Sequence, residues 1–180
     1  MQKYLSLLRG INVGGRRRVL MADLKLLYQE LGLTNVQSYI QSGNVWFEAK
    51  ADEKPENIAS QIAESIKEKY DFEVPIILRN TEQLSKILEL NPFLKEDNMD
   101  TQKLHVTFLS SLPSESELET IKTFNYEPDR FEIVGKEVFI CCEGKYHKSK
   151  LSNAFFEKKL KVATTTRNWK TVSKLLESGG

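Results

Sequence analysis

No run of eighteen apolar residues occurs in this chain, so nothing in it reads as a membrane span. The short apolar stretch Tyr4–Leu8 follows a single lysine and is too brief for the core of a secretion signal. The expectation is a cytoplasmic protein with no membrane partner. Cysteine is scarce as well. Cys141 and Cys142 are the two in the chain, and as neighbours on a strand their side chains point to opposite faces. That excludes an easy disulfide between them, and no C-x-x-C or other metal-ligand spacing is present. No metal and no cofactor is expected. Net charge is nearly absent, at +1, a weak footprint for a dedicated polyanion binder.

What is present is an uneven spread of that charge. Residues 1–50 sum to +4, residues 51–143 to −10 and residues 144–180 to +7. The hydrophobic share of 40% is enough for a core, and 180 residues allow one domain or two small ones.

The hydrophobic periodicity places the elements. Gln2–Arg9 reads as a strand. Leu20, Leu24, Leu27 and Leu31 recur at helical spacing, and Gly32 stops that helix. "VQSYIQ" and "VWFEA" are strands around Ser42-Gly43-Asn44, whose Gly-Asn pair suits a hairpin turn. Pro55 opens a helix lined by Ile58, Ile62 and Ile66. Val74–Arg79 is a strand with Pro75 inside it, which assigns it to a sheet edge. This β-α-β-β-α-β order is that of the ferredoxin-like fold, with strand order 4-1-3-2. Thr81 then caps a short helix ended by Asn91-Pro92, and a polar stretch follows.

The pattern repeats from "KLHVTFLS". Ser114 and Glu117 make a capping box, Gly135-Lys136 a hairpin, and Asn168 caps a last helix carrying Trp169, Val172 and Leu176. His105 alternates with Leu104 and Val106, which places it on an open sheet face. The fold class read from this is α+β: two ferredoxin-like βαββαβ halves with mainly antiparallel sheets, a linker helix and a C-terminal helix. The halves are residues 1–80 and 102–180, with the linker at 81–101. The repeat is one of pattern, without evident sequence identity.

The glycines of Gly10-Ile-Asn-Val-Gly-Gly15 have P-loop spacing, but Arg16 and Arg17 stand where lysine and a magnesium-binding Ser/Thr belong. Arginine cannot ligate a metal. A dinucleotide fingerprint, G-x-G-x-x-G, is missing too. What remains is a glycine turn before a helix, or a backbone anion nest beside arginines.

The stretches "LLRGINVGG", "YIQSGNVWF" and "ATTTRNWKTVSKLL", in that order, resemble a bacterial family, the one catalogued as domain of unknown function 1697. "GKYHKSKLSNAFFEKKL" is similar to the family's segment before its last motif. The resemblance implies a two-part α+β fold with ferredoxin-like halves and no established activity. Its motif positions here are Arg9, Gly10, Asn12, Gly14, Gly15, Ser42, Gly43, Asn44, Ser149, Lys150, Arg167, Asn168 and Trp169.

A 4-1-3-2 sheet sends Arg9, the glycine loop and Ser42–Asn44 to one end of the first half. It brings "GKYHKSK" beside Thr165–Asn168 in the second. The expectation is that these ends face each other and hold a phosphorylated or other anionic small ligand, through Arg9, Gly10, Asn12, Gly14, Gly15, Ser42, Asn44, Ser149, Lys150, Arg167 and Asn168. Two other readings stand beside it. One is a structural or regulatory interaction module. The other is a nucleic-acid binder, against which the aromatic signature of RNA-binding sheets is missing. No nucleophile–base pair emerges, so whether the protein is an enzyme is left open.

Overall fold

The computed structural model describes residues 1–40 and 43–179. Met1–Leu84 forms one compact unit and Ser85–Ser178 a second. The first unit runs β1 (Gln2–Leu8), α1 (Met21–Glu30), β2 (Thr34–Tyr39), β3 (Asn44–Ala49), α2 (Pro55–Tyr70) and β4 (Ile76–Asn80). Its sheet has the order β2-β3-β1-β4 with every pair antiparallel. This is the ferredoxin-like order. One face of the sheet carries Tyr4, Leu8, Val45, Phe47 and Ala49 against Leu24, Leu27 and Tyr28 of α1 and Ile58, Ile62 and Ile66 of α2. Those helix positions follow the three-to-four-residue spacing that makes an apolar stripe. Tyr28 is fully buried, and its hydroxyl is 2.7 Å from Ser6 Oγ, which also donates to the Val45 carbonyl. The buried phenol is therefore satisfied, and burial pushes its pKa up.

β4 is an edge strand, as expected, but it begins two residues later than the sequence suggested, so Pro75 falls outside it. Pro75 lies just ahead of it and offers its carbonyl to Arg9 N at 3.1 Å. A proline has no N–H to give a ladder, so the position before the strand costs nothing.

α3 (Thr81–Leu90) follows β4 directly. Its cap is Asn80 rather than Thr81. Asn80 Oδ1 accepts from Gln83 N at 2.8 Å while Gln83 Oε1 accepts from Asn80 N, a reciprocal box. The second unit then runs β5 (Leu104–Leu109), α4 (Glu115–Lys122), β6 (Arg130–Val134), β7 (Glu137–Cys141), α5 (Asn153–Leu160), β8 (Thr164–Asn168) and α6 (Trp169–Gly179). Its sheet order, β6-β7-β5-β8, repeats that of the first unit strand for strand. The protein is thus an α+β chain of two ferredoxin-like halves. Ser114 and Glu117 form the expected capping box on α4. Leu109, Val138, Ile140 and Cys142 pack with Ile121 of α4 and with Phe156 and Leu160 of α5. Both cysteines are buried and free; Cys142 lies in this core and Cys141, its neighbour, on the opposite side of the strand.

The duplication also survives in sequence, in one short segment of each unit. Residues 79–88, RNTEQLSKIL, and 167–176, RNWKTVSKLL, agree at five of ten positions. The two segments occupy the same place in each fold. Arg79 sits opposite Leu5 of β1 and Arg167 opposite Val106 of β5. Asn168 Oδ1 accepts from Thr171 N at 2.8 Å, just as Asn80 serves Gln83. Leu84 and Ile87 are buried in α3, Val172 and Leu175 in α6. A strand-to-helix junction with its cap and two apolar anchors is the part that both copies keep.

Each arginine of the pair also folds back on its own strand. Arg79 Nη1 donates to the Leu78 carbonyl at 2.8 Å, and Arg167 Nη1 to the Thr166 carbonyl at 3.0 Å. Those carbonyls face away from the sheets. The Arg9 N–Pro75 O bond sets the β1–β4 alternation, and by it Ser6 and Leu78 are a non-bonded pair. The Ser110 N–Ala163 O bond does the same for Thr107 and Thr166. The two arginines therefore cover outward carbonyls on the edge strands β4 and β8.

Candidate functional site

The loop after β1 is a small hairpin. Gly10, with φ +73°, turns the chain out of the strand, and Ile11 is a buried plug. Asn12 N then donates to the Arg17 carbonyl and Arg16 N to the Val13 carbonyl, each at 3.1 Å. Gly14 and Gly15 form the tip with φ +58° and +72°, the left-handed pair that a type I′ turn requires. Asn12 closes the base twice. Its Oδ1 accepts from Val19 N and its Nδ2 donates to the Val19 carbonyl, both at 2.9 Å. Several N–H groups of the loop are therefore used internally, and the loop is a clipped hairpin rather than a nest lining its amides around an anion.

This architecture holds Arg16, Arg17 and Arg18 out in solvent. Arg17 rests its guanidinium over the Phe72 ring at 5.8 Å. Among the described residues none of the three makes a salt bridge. On one side of the hairpin lies a shallow hollow of about 390 Å³, walled by Asn12, Gly15, Arg18, Val19, Leu20 and Met21. α1 starts at that wall. Its cap position, Leu20, has no side chain that can hydrogen-bond the first-turn amides. The first N–H groups of any helix lack internal partners, so this end carries partial positive charge beside Arg18, partly offset by Asp23 in the first turn. The sequence did not single out Arg18 or the start of α1. The signal was there: an arginine run meeting a helix whose cap position is leucine.

The other candidate residues of the first unit have internal roles. Arg9 is half-buried at the end of β1. Gly43 packs so closely, its carbonyl accepting from Leu8 N at 2.8 Å, that a Cβ there would meet Leu8 Cβ at 2.7 Å. Asn44 is fully buried and donates to the Tyr39 carbonyl. These groups do gather with the glycine loop at one end of the sheet, as the topology required. Ser42 lies outside the described residues.

In the second unit, the "GKYHKSK" turn does meet β8. Tyr146 Oη donates to Thr166 Oγ1 at 3.0 Å, and Tyr146 stacks on His105 at 4.5 Å between ring centroids. His105 is therefore covered, not open as expected, and burial lowers its pKa from the ordinary 6.5. Ser149 Oγ donates to Asp129 Oδ2 at 2.6 Å and accepts from Leu151 N, while Asp129 also holds Glu143 N. Lys150 is exposed. Arg167 belongs to the strand itself and shares a face with Thr165, whose Oγ1 accepts from its Nη1 at 2.8 Å. Strand alternation puts that face opposite the one where Tyr146 meets Thr166. The expected grouping of Arg167 with Ser149 and Lys150 is thus divided by the sheet. Burial pulls the Arg167 guanidinium down to about 10, which leaves it charged at neutral pH. Asn168 is the cap of α6.

No helix among the described residues is long and apolar enough to cross a membrane. Comparison with curated proteins returned no match. Among solved structures, the chain is similar to a conserved bacterial protein, SP0830 from Streptococcus pneumoniae. The TM-score is 0.79 at 24% identity, over 99% of this chain and 98% of that one. At that identity the likeness speaks for the fold. Residues 1–139 match the family described as "Protein of unknown function (DUF1697)". That span takes in the glycine hairpin and the Gly43-Asn44 turn and ends before the Arg167-Asn168 junction. The chain belongs to this family.

Proposed function

We propose that the first unit binds an anion, a phosphate or carboxylate group of a small ligand, in the hollow between the arginine hairpin and the start of α1. The observation that carries this is the pairing of Arg18 with a helix N-terminus that has no side-chain cap, across a shared hollow. Free amides at a helix start and a guanidinium fork both favour such oxygens. Asn12 and Gly15 fix the wall, so the geometry exists before the ligand arrives and little ordering is needed on binding.

The test is thermal stability with inorganic phosphate, pyrophosphate and a dicarboxylate. A ligand at one hundred times its dissociation constant adds about 2.7 kcal/mol. Arg18→Ala should remove that gain while leaving the ligand-free melt unchanged. A shift that survives Arg18→Ala places the anion elsewhere. Binding to an oligonucleotide with steep salt dependence would favour the nucleic-acid reading instead.

One observation favours a second reading, an interaction module. The motif side chains Asn12, Asn44, Ser149 and Asn168 are engaged with their own unit. Motifs that serve folding leave the exposed surface to carry recognition.

A further inference from the structure

The two sheets have four edges, and three are blunted. β2 has a register break between Thr34 and Gln37, with Asn35 in the left-handed region at φ +52°. Such a bulge twists an edge away from further pairing. On β4 and β8 the arginines Arg79 and Arg167 cover an outward carbonyl. β6 has neither device. Its register with β7 runs unbroken from Arg130–Cys141 to Val134–Glu137.

The hydrogen-bond alternation shows which β6 groups are free. Cys142 N donates to the Lys103 carbonyl and Leu109 N to the Lys136 carbonyl, each at 2.9 Å. Val138 and Ile140 therefore bond toward β5, and Glu137, Phe139 and Cys141 toward β6. Their partners Val134, Glu132 and Arg130 are thus used. Phe131 and Ile133 point their N–H and C=O outward, and among the described residues nothing bonds them.

A groove of about 710 Å³ runs along this edge. Leu118 and Ile121 of α4 wall it on one side, Phe93 and Glu96 on the other. The second wall is fixed to the strand. Arg130 grips Glu96 with two bonds, at 2.8 and 3.0 Å, and stacks on Phe93 at 5.0 Å. Alternate free donors and acceptors on a straight strand match one chemistry, an extended polypeptide backbone.

We propose that β6 is the docking edge for an extended peptide segment of a partner protein, which adds to the second sheet as a fifth strand. The occupant's side chains follow from the walls. Those on the Phe131 and Ile133 face meet the apolar side of α4, so they are apolar. Those on the other face meet Glu132. Of the charged groove residues, Arg130 and Glu96 neutralise each other and Asp129 is held by Ser149. Lys122, Glu127 and Glu132 remain, a net negative charge that selects basic side chains. The segment alternates apolar and basic residues.

The probe is a peptide of about nine residues alternating valine and lysine, a little longer than a typical strand. Amide hydrogen exchange on the intact protein reads the binding. The Phe131 and Ile133 amides should slow about tenfold while amides elsewhere stay unchanged. Two isomers, N-methylated on odd or on even residues, test the backbone pairing directly. One should bind and the other should not, because only alternate N–H groups face a neighbouring strand. Ile133→Pro removes an outward donor without touching the β7 ladder and should abolish protection at Phe131, the reporting amide that remains, and Glu132→Lys should weaken protection at both. Equal binding of both isomers, or protection that misses Phe131 and Ile133, overturns the proposal. Protection that grows with protein concentration without peptide also overturns it, since the occupant is then a second copy of this chain.

Discussion

The connection from the first strand to the first helix differs most between the two units. In the second unit it is brief. β5 ends at Leu109, Ser114 caps α4, and its box with Glu117 satisfies two backbone donors at the helix start. In the first unit residues 9–20 build a clipped hairpin and then deliver an uncapped helix. The frame around them is the same: same strand order, same Arg-Asn junction, same backfolded guanidinium. Two copies of one frame thus show which features the fold needs. A cap is present at the helix where the loop does nothing else. It is absent where arginines gather. The edges repeat the lesson in reverse, with the bulge on β2 and an open ladder on β6.

The hairpin glycines offer the sharpest contrast. Gly43 has φ +75° and no room for a Cβ, whereas Gly135, in the corresponding hairpin of the second unit, has φ +61° and open space. Gly43→Ala should cost about 3 kcal/mol, from strain plus overpacking against Leu8 and Ile11, and Gly135→Ala about 1 kcal/mol from strain alone. Urea denaturation measures both. Equal costs would mean that the close approach of Gly43 to β1 is misplaced.

The shared junction predicts equality instead. Asn80→Ala and Asn168→Ala each remove one helix cap, at about 1 kcal/mol. If either substitution is silent, the repeated segment is a coincidence of sequence.

Smaller still is the effect of pH on the second unit. His105 has a folded pKa below its ordinary 6.5, so the unfolded chain binds the proton first. Its contribution to stability is complete above the unfolded value and fades as pH falls through about 6.5 toward the folded one. His105→Phe keeps the stack on Tyr146 and should flatten the stability profile in that window. A profile unchanged by the substitution would show that His105 is not desolvated.

The arginine tip should be the least sensitive of all. Arg16→Ala, Arg17→Ala and Arg18→Ala, tested one at a time without ligand, should each fall within about 0.5 kcal/mol of the parent in urea. A loss of several kcal/mol at any of them would turn the presented hairpin into a structural one.

Most of the fold was legible because it rests on local signals. Period-two strands, isoleucines three to four apart, the Ser114–Glu117 box and the Pro75 edge argument all act within a few residues. The errors have the same root. Thr81 looked like a cap because threonine caps helices, yet Asn80 competes with it and wins through the reciprocal bond with Gln83. His105 looked open because alternation says nothing about which distant loop covers a strand, and Tyr146 arrives from forty-one residues away. The candidate site was less legible. Residue type nominated Asn12, Asn44, Ser149 and Asn168, but a polar side chain recruited by backbone looks no different in sequence from one aimed at a ligand. Arg18 was hidden in a run of three, since only the hairpin decides which guanidinium faces the hollow.

Neighbouring thiols at the end of one strand carry a practical consequence. Cys141 and Cys142 are both free, both buried and on opposite sides of their sheet, and burial pushes the Cys142 thiol up to about 11. Neither is a good nucleophile while the fold is closed. Each becomes one only when the layer over its own side lifts. Cys141→Ser and Cys142→Ser variants, each left with a single thiol, would let a slow alkylating reagent time the opening of one layer at a time. The strand would act as a two-channel clock for the breathing of the second unit.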